Sequence, residues 1–323
     1  MVKYPGLKVT ILIDCIPAVL RIGTMTSRRL ILLSLIVLFS FSAGCAFLDS
    51  PPISISDDSI YFQAERAYQD LAYQVDLGPR IPGTPGHEQI RIWITENLEE
   101  SGWIVEEQLA EIAGFQVRNL IAYREEAPEY ILLGAHYDTR IMADHDPDQS
   151  MRDQPVPGAN DGASGVAVLL ELARVLPKDL SIPVKLVFFD AEDNGGIGEW
   201  DWILGSRAFV RDLEDPPQAA VIVDMVGDDS LEIYFEGNSD PAIREGIWRQ
   251  ARELGYGNEF ITEEKHSMLD DHTPFLEAGI PAVDIIDFDY PYWHTTQDTV
   301  DKVSADSLKA VGETLTGWIL AQQ

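Results

Sequence analysis

The sequence predicts an α/β fold with a mostly parallel central sheet and helices on both faces, and three observations carry that expectation. Short apolar runs rich in β-branched and aromatic residues alternate with longer stretches of helical periodicity from about residue 60 onward. Each of four apolar runs leads into an imidazole or carboxylate, and ligands of open α/β sheets sit beyond the C-terminal ends of the strands. No repeat, low-complexity block or second linker divides this region, so a single domain of about residues 57–323 is the economical reading.

The strands expected from the apolar runs are Leu120 to Tyr123, Tyr130 to Ala135, Val184 to Asp190, Ala219 to Asp224, Leu231 to Phe235 and Ala282 to Ile286. The helices expected between them are Tyr61 to Val75, Gly86 to Ser101, Ala163 to Leu176, Ser206 to Leu213, Pro241 to Leu254, Thr273 to Ala278 and Ala305 to Leu320. In the third helix Val166, Leu169, Leu170 and Ala173 recur at helical spacing and give one buried face.

Ahead of the domain, Arg28 and Arg29 precede an apolar run from Leu30 to about Phe41, and small residues lead to Cys45. This is the grammar of an export signal, and the run is short of the roughly 20 residues that span a bilayer. "SAGC" resembles the lipobox of bacterial lipoproteins. Residues 1–45 are therefore expected to be an export signal, with an extension upstream of Met25, and residues 46–56 a Pro/Ser/Asp-rich tether. The expected location is extracytoplasmic, anchored to the membrane through lipid on Cys45, or else periplasmic or secreted. Cys15 and Cys45 are the only cysteines, so no disulfide can hold the domain.

Lys and Arg total 23 against 54 Asp and Glu, a formal charge of -31. Phosphate contacts with nucleic acid are disfavoured at that balance, whereas metal cations and peptide amino termini are favoured. The stretch "FFDAEDNGG" sets Asp190, Glu192 and Asp193 directly after a strand, which calls for either a solvated turn or a compensating cation. "HYD" brings His136 to the next strand end, "VDMVGD" brings Asp224, and "YWH" brings His294; Asp161 lies in the Gly-rich turn of "GANDGASG". Singly each has a plain reading: a polar strand end, a helix N-cap for Asp161, a hydrogen-bonded loop histidine for His294. Together they form an oxygen and nitrogen ligand set suited to zinc, without the thiolates of a structural site.

The ordered motifs "GAHYDTR", "GANDGASGVAVLLELAR", "FFDAED", "LGSRAF", "VDMVGD", "DDHTPFLEAGIPA" and "YWHTTQDT" resemble those of the zinc aminopeptidase family that also contains the animal-type glutaminyl cyclases. The resemblance covers about residues 60–320. It implies a phosphorylase/hydrolase-like three-layer α/β/α sandwich around a central mixed, mostly parallel sheet. "DAED", the long acidic loop before the Asp161 turn, Asp270 ahead of Asp271, and Trp293 before His294 look like the bacterial cyclases. That branch implies one zinc on Asp161, Asp193 and His294, Glu192 as general acid and base, and Asp224 and Asp270 as hydrogen-bonding catalytic acids. It also implies Trp293, with Trp200 or Trp202, as walls around the substrate, and Asp190 as an orienter of a neighbouring group. The reaction implied is cyclisation of an N-terminal glutamine of a peptide or protein to pyroglutamate with loss of ammonia. The co-catalytic aminopeptidases imply instead hydrolysis of N-terminal residues at two zincs, His136 and Asp224 supplying the second site.

Overall fold

The structure, a computed structural model, describes residues 61–323. The expectations placed on residues 1–60 (export signal, Cys45, tether and the first residues of the domain) lie outside the described residues. Six strands form one mixed sheet: β1 (Ile104–Ile112), β2 (Phe115–Tyr123), β3 (Ile131–His136), β4 (Val184–Phe189), β5 (Ala219–Asp224) and β8 (Ala282–Ile286), in the order β1-β2-β4-β3-β5-β8. Strands β4, β3, β5 and β8 are mutually parallel, while β1 and β2 run antiparallel at one edge. Strands β6 (Ile233–Glu236) and β7 (Phe260–His266) form a separate parallel pair.

The helices are α1 (Ala64–Asp76), α2 (Pro85–Glu100), α3 (Ala163–Val175), α4 (Leu204–Arg211), α5 (Pro241–Leu254), α6 (Thr273–Glu277) and α7 (Ala305–Leu320). Their starts are written in local chemistry: Thr84 accepts from the His87 amide ahead of Pro85, Asp240 accepts from the Ala242 and Ile243 amides ahead of Pro241, and Ser304 accepts from the Ser307 amide. Alternate residues of the central strands then face opposite layers. Leu133, Ala135, Leu186, Phe188, Val221, Val223, Val283 and Ile285 pack with apolar residues of α1, α2, α3, α5 and α7. Leu132, Val187, Phe189, Ala220, Ile222 and Ala282 pack with Phe209 of α4 and Phe275 of α6. The three expected layers are thus present.

The structure corrects the strand reading at β1 and β7, which were not foreseen, and at β2, which begins five residues earlier than its apolar run. The sequence of β1, IVEEQLAEI, carries three glutamates because it is an edge strand with only Ala110 fully buried, so its polarity hides its strand character. It joins β2 through Ala113 and Gly114, both at positive φ (49° and 87°), the handedness a two-residue hairpin turn requires. An alanine in the first of those positions gives no hairpin signal. Strand β7, FITEEKH, is likewise charged and largely exposed.

Candidate metal and catalytic centre

The parallel strands bring the expected residues to one edge. His136 and Asp224 are the last residues of β3 and β5, Glu192 and Asp193 follow β4, and the loop after β8 carries Trp293 and His294. Asp161 closes the long connection from β3 to α3. Gly162, not Asp161, occupies the N-cap of that helix and makes no side-chain cap, so the Asp161 carboxylate is free to face the sheet edge. A Cβ on Gly162 would lie 2.4 Å from His136 Nε2, so the turn approaches the histidine as closely as only glycine allows. Ala191, Met225 and His294, none of them glycine, adopt positive φ of 53°, 45° and 56° next to the centre, a conformation that costs about 1 kcal/mol or more each.

Two buried groupings share Asp161. In one, His294 Nε2 lies 2.8 Å from Asp193 Oδ1 and 3.7 Å from Asp161 Oδ2. In the other, His136 Nε2 lies 3.1 Å from Asp161 Oδ1 and 3.2 Å from Asp224 Oδ1. Within each triplet the ligand atoms lie within 4.8 Å of one another. Asp193 Oδ2 is buried and has no hydrogen-bond partner within the protein, which fits the role of a metal-ligand atom. The donor set of carboxylates and imidazoles fits a zinc-type ion.

Electrostatics point the same way. With no cation, burial above all raises Glu192 well above the usual carboxylate range, with Asp270, Asp193 and Asp271 adding repulsion against the pull of His136. Burial, reinforced by Asp161, pushes Asp193 up to about 6 despite His294. Asp224 rises to about 7 through burial, opposed by its hydrogen bond with His136. Asp270 is raised by burial, although His272 opposes the shift. His136 goes the other way from a typical buried imidazole. Burial disfavours its charge, yet hydrogen bonds with Asp138, Asp161 and Asp224 together hold its pKa well above the usual value. For Asp161, burial is outweighed by the hydrogen bond and charge of His136 and by His294, and the pKa falls.

The pocket above these groups has a volume of about 190 Å³. Asp161, Glu192, Asp193, Asp224, Asp270 and His294 line its polar side; Trp202, Trp293, Met225, Met268, Leu269, Ile286 and Phe288 line the rest. Trp293 stacks on His294 with ring centroids 3.7 Å apart, and Trp202 lies parallel to His294 at 6.0 Å. Between the two tryptophans left open by the sequence, Trp202 is the wall. Trp200 stacks on Phe115 at 3.8 Å, in the small apolar cluster of Ala110, Val117 and Leu204, and does not line the pocket.

Asp190, expected to orient a neighbouring group, lies 2.7 Å from His87 Nε2 and accepts from the Arg118 amide at 2.8 Å, so the groups it orients belong to α2 and β2. The acid that orients the centre is Asp138 of "HYD". It accepts from the Glu192 amide at 3.0 Å and from Asn194 Nδ2 at 3.1 Å, and its Oδ1 lies 3.4 Å from His136 Nδ1. Asp298 similarly accepts from the amides of Asn160 and Asp161, at 2.8 and 3.2 Å, and from the Tyr290 hydroxyl. Arg140 forms a two-pronged pair with Asp144, donates to the Asp193 carbonyl at 2.6 Å and lies 4.9 Å over the Trp202 ring. None of these three was assigned a role from sequence; the one available signal was that each sits inside or beside a motif that carries a ligand.

The model of peptidase family M28 matches residues 119–319 of the chain. Glutaminyl-peptide cyclotransferase of Bothrops jararaca is 29% identical over 299 residues, covering 74% of this chain and 78% of that protein. The crystal structure of Porphyromonas gingivalis glutaminyl cyclase superposes with a TM-score of 0.77 at 38% identity, covering 81% of this chain and 99% of that one. A leucine aminopeptidase precursor from Bacteroides thetaiotaomicron superposes with a TM-score of 0.78 at 35% identity, covering 81% and 98%.

Proposed function

The chain belongs to peptidase family M28, and from that premise we propose that it is a zinc-dependent glutaminyl-peptide cyclotransferase, closing the N-terminal glutamine of peptides or proteins into pyroglutamate with release of ammonia. The observation that carries this reading is the inequality of the two groupings around Asp161. The Asp193 and His294 side opens on the pocket and holds an unpartnered carboxylate oxygen, whereas His136 is engaged by Asp138, Asp161 and Asp224 and does not line the pocket. One metal on Asp161, Asp193 and His294 accounts for that difference.

When bound, that metal supplies Lewis-acid polarisation of the glutamine side-chain carbonyl. Glu192 performs the proton work. It accepts a proton from the α-amine as the amine nitrogen forms the new C–N bond, and returns it to the side-chain nitrogen as the old C–N bond breaks and ammonia leaves. Its raised proton affinity, caused by burial and by Asp270 and Asp193 nearby, suits a group that must both take and give a proton. Asp224 and Asp270 line the same pocket and hold the amine and the departing amide nitrogen by hydrogen bonds. Trp202 and Trp293 flank the glutamine side chain and, with the Met and Phe side chains of the rim, exclude water that would hydrolyse rather than cyclise.

The test is mass spectrometry of zinc-supplemented protein with a Gln-Phe-Ala peptide and a Leu-Phe-Ala control. Loss of ammonia from the glutamine peptide alone is expected, and Glu192→Gln should reduce it at least about 100-fold with zinc still bound. A variant of undiminished turnover would remove the role given to Glu192. A second reading is kept by one observation: His136, Asp161 and Asp224 also converge within ligand range of one another. Two bound zincs and release of free leucine would make the protein a co-catalytic aminopeptidase.

The export grammar around Arg28 to Cys45 supports an extracytoplasmic enzyme anchored by lipid on Cys45. The mass of the mature N-terminus checks this: an acylated Cys45 is expected, and a retained Met1 or Met25 would overturn it.

A further inference from the structure

Arg80 is fully buried, yet among the described residues its guanidinium makes no ion pair. It binds backbone instead. Nε donates to the Tyr137 carbonyl at 3.2 Å, Nη1 to Pro157 at 3.0 Å and Nη2 to Gly158 at 2.6 Å, while its own amide donates to Thr139 Oγ1 at 2.9 Å. Tyr137 and Thr139 directly follow His136 at the end of β3. Pro157 and Gly158 open the turn that ends in Asp161. One side chain therefore joins the two backbone segments that deliver the ligands from β3 and from the acid turn.

The turn is shaped around that side chain. Gly158 has φ of +72°, and a Cβ there would stand 2.6 Å from Arg80 Nη2 and 2.3 Å from Thr139 Cγ2. The neighbouring Arg140 shows what an ordinary buried arginine does here, since Asp144 matches its charge with two hydrogen bonds. Asp298, Asp138, Asp161 and Asp193 attract its charge from beyond ion-pair distance, so charge alone does not single out this side chain. Its particular contribution is geometric: the guanidinium fork reaches three carbonyls on two segments at once.

We propose that Arg80 is a positioning residue of the metal centre, touching neither metal nor substrate, whose three carbonyl bonds hold the Asp161 turn against the end of β3 and so preorganise the ligands. The inference rests on the placement of zinc at Asp161, Asp193 and His294 but not on the identity of the substrate.

The experiment is competition for zinc between a fluorescent chelator and the purified protein, its Arg80→Lys variant and its Arg80→Gln variant. Arg80→Lys keeps the charge and loses the fork, so a zinc Kd weaker by about tenfold is expected, with Arg80→Gln at least as weak. The thermal midpoint of each metal-free variant reports whether the fold survives. Turnover at saturating zinc should stay within about threefold of the parent, because metal affinity and not chemistry is what the tie sets. A lysine variant that binds zinc as tightly as the parent overturns the proposal. If both variants fail to fold, Gly158→Ala, whose Cβ would stand 2.6 Å from Arg80 Nη2, displaces the fork and should still weaken zinc by about threefold; unchanged affinity then overturns it. A parent protein that binds no zinc is a separate outcome, which removes the metal assignment itself.

Discussion

The two halves of the centre are built from the same residue types and share Asp161, yet they are wired differently. His294 meets Asp193 across an open pocket, and Asp193 keeps one oxygen without a partner. His136 is held from both ring nitrogens, by Asp138 on one side and by Asp161 and Asp224 on the other. Both ring nitrogens of His136 thus face carboxylates, whereas His294 Nδ1 and Asp193 Oδ2 are buried without a hydrogen-bond partner. Ligand identity, then, does not count metals; the hydrogen-bonding left over does.

The sharpest way to break that comparison is to remove each histidine in turn. His294→Ala should abolish stoichiometric zinc and lower kcat/KM by at least about 1,000-fold, since it removes a metal ligand outright. His136→Ala should keep zinc bound and lose about 10- to 100-fold in turnover, through the loss of the group that balances Asp161 and Asp224. Metal analysis beside steady-state kinetics reads both. Equal loss of zinc in the two variants would make the halves equivalent and favour the two-metal enzyme.

How much of this was legible in sequence follows from what each residue does. His136, Asp161, Asp193, Asp224 and His294 could be found because a buried parallel strand ending in a ligand leaves a visible step from apolar to charged residues. Strands β5 and β8 and helices α5 and α7 were bounded to the residue, two of them by Pro241 and Ser304 at the helix starts. Strand β1 was invisible because an exposed edge needs charge rather than apolar alternation. Asp138 and Asp298 were missed for a different reason. Their work is to accept backbone amides from segments up to 138 residues away, and no local pattern encodes such a partner. The choice between Trp200 and Trp202 was equally closed, since the Gly195 backbone approaches the Trp202 indole so closely that a Cβ there would lie 2.1 Å from it.

That pair of tryptophans gives a smaller contrast of the same kind. Trp202→Ala removes a pocket wall held by Arg140 and should raise KM about tenfold for a glutamine peptide. Trp200→Ala breaks the stack on Phe115 and should lower the thermal midpoint while leaving KM within about twofold. Kinetics and melting of the two variants separate the roles, and a larger KM effect at Trp200 would reverse the assignment.

The smallest effect, and the one that tests the electrostatics most directly, is the pH dependence of stability with and without metal. In the metal-free protein burial raises Asp193 to about 6 and Asp224 to about 7, above an ordinary value of 3.8. A raised carboxylate holds a proton that the unfolded chain releases, so its stabilising effect is complete below about pH 4 and is lost as pH rises through the folded values. His136, also raised, adds to the loss at higher pH, whereas the lowered Asp161 changes stability only below about pH 4 and is silent across the higher range. The thermal midpoint of the metal-free protein should therefore fall between about pH 5.5 and 7.5. Zinc reverses the trend, because its ligands bind deprotonated and metal binding releases protons. The gap between zinc-loaded and metal-free midpoints should widen steadily across that interval. A metal-free midpoint that climbs with pH would mean that these carboxylates are already ionised in the folded protein, and that the demand for a cation at the His294 half had been misjudged.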